Sequence, residues 1–306
     1  MSPGCTLQVN LSAGDAAYAA VTVPRLLRAH AGCAERLLVV DACRQPRTRI
    51  FDPDARAPLA AWRTRLDEVR GLADRVETLA DGDPRFADWA ARYQRPWMRR
   101  THDYGGCAVM AYWAALDLPR TSHVVHYDAD VWLHQAPGFD WVPAAVAALT
   151  DIPEAVAAAP RTSPPGHAAD APTLHDQRPA TRVAAGWLND WFSTRCLLVD
   201  RTRLAAHLPL VGPVWGAELA VRALVDRGYP PGPESILHRV LGPRGRRCLH
   251  LADERAWLLH PIRKDAAYLD LLPRIGQAVE RGVVPPGQRG WADIRVEDWQ
   301  AWSPPS

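Results

Sequence analysis

The sequence predicts an α/β fold: a mixed, mostly parallel central sheet flanked by helices, in a single compact unit of two abutting halves. Three observations carry this expectation. The chain opens as strand, turn, helix, strand, which is a βαβ unit and implies a parallel pairing. Its most strand-like run, Ser122 to His134, stops abruptly on two carboxylates, Asp128 and Asp130. Nothing recurs at the roughly 20 to 50 residue period of a repeat protein.

Thr6 to Leu11 reads as the first strand, followed by Ser12-Ala-Gly-Asp15 as a turn in which Asp15 can cap an Ala-rich helix carrying Tyr18, Val21 and Leu26. Arg36 to Val40 forms the second strand and ends on Asp41. Trp62, Leu66, Val69 and Leu72 recur at helical spacing within Ala60 to Ala73, and Val76 to Leu79 is a short strand. A helix over Ala108 to Leu116, behind Gly105-Gly106, leads through Pro119 into the central strand. Val142 to Ala159 reads as helical with a break at Pro153. The proline-rich stretch Pro160 to Arg182 predicts a long loop or mobile lid, at about 160–185. His167, Asp170, His175 and Asp176 inside it read better as solvated loop residues than as a metal site. Beyond it come a strand over Trp191 to Val199 ending on Asp200, helices over Ala217 to Arg227 and Glu234 to Leu241, and short strands at Cys248 to Leu251 and Trp257 to His260. The tail from Pro285 through Trp302 is expected to wrap the body.

Composition narrows the partners. With 306 residues the chain can bury a large core, and its net charge of +2 argues against nucleic acid or an anionic membrane surface as the main partner. No leader-like opening and no apolar run of transmembrane length is present, so a soluble, cytoplasmic protein without an integral membrane segment is expected. The six cysteines form no Cys-x-x-Cys pair and read as reduced core thiols. Lys264 is the only lysine; the Arg, Ala and Pro bias is compatible with a GC-rich bacterial source.

The acids at the strand ends carry the chemistry. In an open α/β sheet, ligands bind in the crevice at the carboxyl ends of the strands. Hard divalent cations take carboxylate oxygens and bridge to substrate phosphates, so Asp128 and Asp130 are candidate metal ligands; their bland alternative is to cap a turn. Thirteen tryptophans are many for this length, and Trp187, Trp191 and Trp215 are placed where one or two could stack on a sugar or flat acceptor.

Four stretches together resemble the nucleotide-sugar glycosyltransferases of GT-A (Rossmann-like) fold, most closely the family 8, glycogenin-like type, over roughly Thr6 to Lys264. Leu11-Ser-Ala-Gly-Asp15-Ala-Ala-Tyr18 is similar to the opening strand and turn that hold the nucleotide base. Val125-His-Tyr-Asp128-Ala-Asp130 is similar to the Asp-x-Asp signature that holds a divalent metal on the sugar diphosphate. Pro233-Glu234-Ser-Ile-Leu-His238 stands where the family faces the reacting sugar. Leu258-Leu-His260-Pro-Ile-Arg-Lys264 is similar to the closing motif, with a third metal ligand and a diphosphate lysine. The chain departs from the family in the shorter His260 to Lys264 spacing, in Phe192-Ser-Thr-Arg195, and in Pro233 and Ser235. Val214-Trp-Gly-Ala-Glu218, leading into Arg222 and Gly228-Tyr229, is a weaker likeness to family 2 enzymes.

The resemblance implies a metal-dependent glycosyltransferase of the hexosyltransferase type, moving a sugar from a nucleoside diphosphate donor, UDP-linked by expectation, to a hydroxyl-bearing glycan or natural-product acceptor. It makes 1–134 the nucleotide-sugar half and 135–306 the acceptor half. Asp128, Asp130 and His260 would hold Mn²⁺ or Mg²⁺. Asp15, Tyr18 and Asp41 would line the base and ribose, while Lys264, with Arg99 and Arg100, would clamp the phosphates. The carboxylate at the reacting centre is Glu234, with Glu218 and Asp190 next in line. Each retains a plainer role: helix cap for Asp15, core for Tyr18 and His260, solvated surface for the arginines and acids. Two other functions compete. One is a catalytically inactive nucleotide-sugar-binding protein. The other is a sugar nucleotidyltransferase, whose basic Gly-rich loop after the first strand has no counterpart in Ser12-Ala-Gly-Asp15.

Overall fold

The structure, a computed structural model, describes residues 4–44, 59–166, 180–225 and 227–303. Eleven strands are described: β1 Cys5–Ser12, β2 Glu35–Asp41, β3 Arg75–Leu79, β4 His123–Asp128, β5 Trp132–Gln135, β6 Ala155–Ala159, β7 Thr181–Val183, β8 Gly186–Asn189, β9 Cys196–Asp200, β10 Arg247–Leu251 and β11 Ala256–Leu259. Nine of them form one sheet in the order β3-β2-β1-β4-β9-β6-β10-β8-β7, and β11 pairs with β5 in a second, two-stranded sheet. β1 is parallel to β2 and β4, β2 to β3, and β6 to β10. β9 runs antiparallel to β4 and β6, and β8 antiparallel to β10 and β7. All strands of the large sheet except β8 and β9 therefore share one direction, and their carboxyl ends open on one edge.

Ten α-helices among the described residues accompany the sheets: α1 Ala19–Ala29, α2 Leu59–Arg70, α3 Arg85–Tyr93, α4 Val109–Asp117, α5 Trp141–Asp151, α6 Arg201–Ala205, α7 Pro213–Leu224, α8 Pro233–Leu241, α9 Ala266–Glu280 and α10 Val296–Ala301. They cover both faces of the sheet, as the strand pattern requires. Along β2, Leu38 and Val40 point into a core that holds Trp132, Trp141, Trp257 and Tyr268. Leu37 and Val39 point into the opposite core with Trp89, Trp113 and Leu219. This period of two is the physical signature of a strand buried on both sides.

The opening elements fall where the sequence places them; several later ones differ. The run from Val142 is not one broken helix, because Pro153 separates α5 from β6, whose Ala-Val-Ala-Ala-Ala is wholly buried between β9 and β10. Burial in a sheet centre overrides alanine's helical preference, and small side chains let the flanking layers approach. The strand expected over Trp191 to Val199 is instead β8 and β9, separated by an irregular segment that enters the site. α9, the longest helix described, follows Lys264 with Asp265 as its N-cap and has no counterpart in the sequence expectation. The expected loop residues His167, Asp170, His175 and Asp176 lie outside the described residues. The cysteines are free, and Cys5, Cys43, Cys196 and Cys248 are buried as expected, whereas Cys107 is exposed.

Candidate active site

Asp130 lies at the centre of the site. β4 ends at Asp128, whose carbonyl accepts the Val131 N–H at 3.2 Å, and this tight turn sends Asp130 inward. Only 4% of Asp130 is exposed. Its Oδ2 is met by His260 Nε2 at 3.2 Å and, in a closer ion pair, by the Lys264 ammonium. His260 is fixed by its place just beyond β11, where its N–H donates to Ala292 O at 3.0 Å and its carbonyl accepts from Ile294 N at 2.9 Å. Burial alone would push the Asp130 carboxyl up; the charges of His260 and Lys264 outweigh it and hold the group well below the usual carboxylate range. The same contact raises His260 and Lys264 against the opposite pull of burial.

Asp128 is turned the other way. Tyr112 O–H of α4 donates to its Oδ1 at 2.7 Å, and His126 Nε2 lies 3.4 Å from the same oxygen. Sequence reasoning missed Tyr112, since nothing in an apolar helix pattern marks a tyrosine whose hydroxyl reaches a strand end. Asp130 Oδ1, by contrast, is buried without a hydrogen-bond partner.

The Asp15 turn packs on the Lys264 side of this group. Asp15 does not cap α1, which starts at Tyr18 without a side-chain cap. Instead it closes a capping box on Ser12, accepting the Ser12 N–H at 2.6 Å, and takes a hydrogen bond from the Tyr18 hydroxyl. Lys264 Nζ lies 5.2 Å from the Tyr18 ring centroid. Asp15, Tyr18, Lys264 and Asp130 are thus one electrostatic unit, with Tyr18 itself buried. Asp41 stands apart: its Oδ2 meets the buried His102 Nε2 at 2.8 Å and its Oδ1 accepts the Cys43 N–H at 3.1 Å. Arg99 donates to Pro96 O at 2.7 Å, and Arg100 donates to Tyr229 O at 3.2 Å and covers the Tyr229 ring. The structure brings neither arginine to Asp130.

Beside His260 opens a cavity of about 90 Å³ lined by residues that include Glu234, Arg195, Trp191, Thr162, His250 and His260, with apolar walls from Leu258, Leu259 and Cys248. Glu234 enters from the first turn of α8, and its Oε1 accepts the Thr194 N–H at 2.7 Å and the Thr194 hydroxyl at 3.2 Å. At Gly232, the N-cap of that helix, a Cβ would come 2.7 Å from Asp103 Oδ2, so the Asp103 carboxyl would have to shift to admit one. Burial raises the Glu234 carboxyl, with the Thr194 bond and the Arg195 charge opposing it. Arg195 is pinned by its carbonyl, which accepts the Asp128 N–H at 2.9 Å, and by an ion pair with Asp293 at 3.1 Å. Thr162 Oγ1 is buried and unpartnered in the same cavity wall.

The other two candidate acids do not line this cavity. Glu218 of α7 pairs with Arg222 at 2.6 Å and Arg239 at 2.9 Å, and Asp190 is a half-exposed acid near His238. The stretch similar to family 2 enzymes therefore lies off the site. Trp191 is the tryptophan that reaches the cavity; the Trp187 ring is met by Arg161 and Arg182, and that of Trp215 by Arg239.

As arranged, Asp128, Asp130 and His260 do not converge on one point, and no group of three or more His, Cys, Asp or Glu side chains among the described residues forms a metal cage. The donor chemistry of Asp130 and His260 nonetheless fits a divalent cation: an ionised carboxylate with one buried, unpartnered oxygen stands next to an imidazole.

No family model matches the sequence, and no curated protein matches it. Among solved structures, it is similar to an active-site mutant of LgtC at 11% identity and a TM-score of 0.39, covering 80% of this chain and 72% of that one. It is similar also to the galactosyltransferase LgtC in complex with donor and acceptor sugar analogues, at 12% identity and a TM-score of 0.34, with the same 80% and 72% coverage. The apo structure of the bifunctional glycosyltransferase WbbM matches at 11% identity and a TM-score of 0.38, covering 82% of this chain and 39% of that one. Likeness this distant assigns no chemistry.

Proposed function

We propose that the chain transfers a sugar from a nucleoside diphosphate donor to a hydroxyl-bearing acceptor, with a divalent cation, Mn²⁺ or Mg²⁺, at Asp130. The observation that carries this reading is the Asp130, His260 and Lys264 cluster at the carboxyl end of β4, with the Asp15 and Tyr18 turn against it. An anionic diphosphate needs cationic groups beside a metal ligand, and Lys264 supplies one from a fixed place. Asp130 and His260 would hold the cation, which would supply Lewis acidity and charge neutralisation to the leaving diphosphate.

The protein's own residues divide the remaining work. Lys264 neutralises the leaving phosphate as the anomeric bond breaks. Asp15 and Tyr18 border the nucleotide side. Glu234 faces the cavity with a raised proton affinity and takes the proton of the acceptor hydroxyl, or stabilises the positive charge that develops on the sugar. Trp191 supplies a flat apolar surface for the acceptor or the sugar. The bonds change in balance: acceptor oxygen to anomeric carbon forms, anomeric carbon to phosphate oxygen breaks, and the acceptor proton leaves to Glu234 or solvent.

The nucleotidyltransferase reading fits less well, because the turn after β1 presents the acidic Asp15 and no basic side chain to a triphosphate. Hydrolysis of UDP-sugars tests the reading directly. Release of UDP from UDP-glucose or UDP-galactose that requires Mn²⁺ and is lost in Asp130→Asn supports it; absence of release from every nucleoside diphosphate sugar, despite metal-dependent nucleotide binding, favours the inactive binding protein.

A further inference from the structure

α7 buries one face and leaves the opposite face apolar as well. Gly216 and Leu219 point inward, with Gly216 against the Arg95 side chain, whereas Val214 is 87% exposed, Leu224 86%, Val221 62% and the following Val225 60%. At 100° per residue Val214, Val221, Leu224 and Val225 fall in one stripe of the helix. A contiguous apolar stripe on a soluble surface marks a docking face.

The surroundings of the stripe indicate what it docks on. Glu218 and Arg222 flank it, and Glu218 is tied between Arg222 and Arg239, so the arginines outnumber it. Arg227 is exposed at the helix end, and exposed Arg99 and Arg100 lie on the neighbouring segment, which is joined to the α7 end through the Arg100 bond to Tyr229 O and the Trp97 ring stacked on Tyr229. Trp97 and Tyr104 are themselves exposed, at 43% and 59%. Apolar residues on a helix, interfacial Trp and Tyr, and a rim of guanidinium groups are the composition of a surface that lies on anionic lipid headgroups. The guanidinium fork matches phosphate oxygens. The net charge of +2 is a sum over the whole chain and does not describe this face.

We propose that the outer face of α7, with the Trp97 to Tyr104 segment, docks on the surface of an anionic phospholipid bilayer. The contact is peripheral, since no described helix is long and apolar enough to cross a membrane. The backbone ties the face to the helix that carries Glu234: Tyr104 N donates to Pro230 O at 3.1 Å, and the chain then runs through Gly232 into α8.

Flotation of the full chain with vesicles tests the proposal without reading turnover, so its failure leaves the glycosyl transfer reading standing. The probes are vesicles of phosphatidylcholine alone and vesicles with about one third phosphatidylglycerol. Binding is expected only to the second, falling about tenfold or more between about 0.1 M and about 1 M salt. The double variant Val221→Asp with Leu224→Asp loses binding about tenfold or more, and Arg227→Glu alone weakens it severalfold, both with unchanged thermal melting. No binding to either vesicle, or equal binding to both, overturns the proposal. So does a wild-type dimer in solution that the double variant converts to a monomer without any lipid binding, which assigns the stripe to a second copy of the chain.

Discussion

At the end of β4, Asp130 meets two side chains from a distant part of the sequence, His260 and Lys264. Around Glu234 the carboxylate instead meets an amide and a hydroxyl of Thr194, and no ion pair of Glu234 is found among the described residues. Burial acts on both acids in the same direction, and what differs is the compensation. Direct cationic contact keeps Asp130 ionised across the working pH range, whereas Glu234 holds its proton more tightly than an ordinary glutamate. The first suits a group that binds charge, and the second a group that moves a proton. In the proposed reaction, binding and proton transfer are thus separated by the partners given to two buried carboxylates.

The largest expected effect follows from removing the charge that organises the first region. Asp130→Asn should lower kcat/KM by about 10³-fold or more, because it removes both the proposed metal ligand and the partner of His260 and Lys264. Steady-state rates with a UDP-sugar check this; a loss below about tenfold would break the comparison. Glu234→Gln should cost about 10² to 10⁴-fold in kcat with donor affinity nearly unchanged, which initial rates and nucleotide titrations separate. The wild-type rate should fall on acidification through a pKa above the ordinary 4.5, a limb absent from the residual activity of the variant. For stability the sign is opposite. The raised carboxyl favours the folded state below 4.5, and that contribution is lost as pH rises through the folded value.

Smaller effects sharpen the contrast. Lys264→Met should weaken nucleoside diphosphate binding by about tenfold, read by calorimetry, and change the acid limb little. Glu218→Gln and Asp190→Asn should leave rates within about twofold, since these acids lie off the cavity in exposed ion pairs or near solvent. A hundredfold loss in either would move the reacting centre away from Glu234.

The parts of this molecule legible in the sequence are those fixed by local pattern. β-branched and aromatic runs with acids at their ends disclose β1, β2, β4 and Asp130, and the only lysine draws attention to Lys264. β6 was hidden because Ala155 to Ala159 has no β propensity and becomes a strand only through neighbours supplied by β9 and β10. Tyr112 on Asp128, Asp293 on Arg195 and His102 on Asp41 are tertiary contacts between segments that carry no local signal. Arg195 had one clue, a charged residue entering the otherwise apolar run before β9. The acceptor acids were ranked by chain position alone, and burial separates Glu234 from Glu218 and Asp190.

The central claim is that a nucleoside diphosphate binds at Asp130 with a metal, and thermal melting with UDP, GDP and TDP, each with Mn²⁺ or EDTA, tests it most directly. A ligand at about 100 times its dissociation constant stabilises the folded state by roughly 2.7 kcal/mol, a readily measured shift. The account predicts stabilisation by one of the three nucleotides that needs Mn²⁺ and disappears in Asp130→Asn. No stabilisation by any of them, in the presence or absence of metal, would contradict it and leave Asp130, His260 and Lys264 as a structural ion pair.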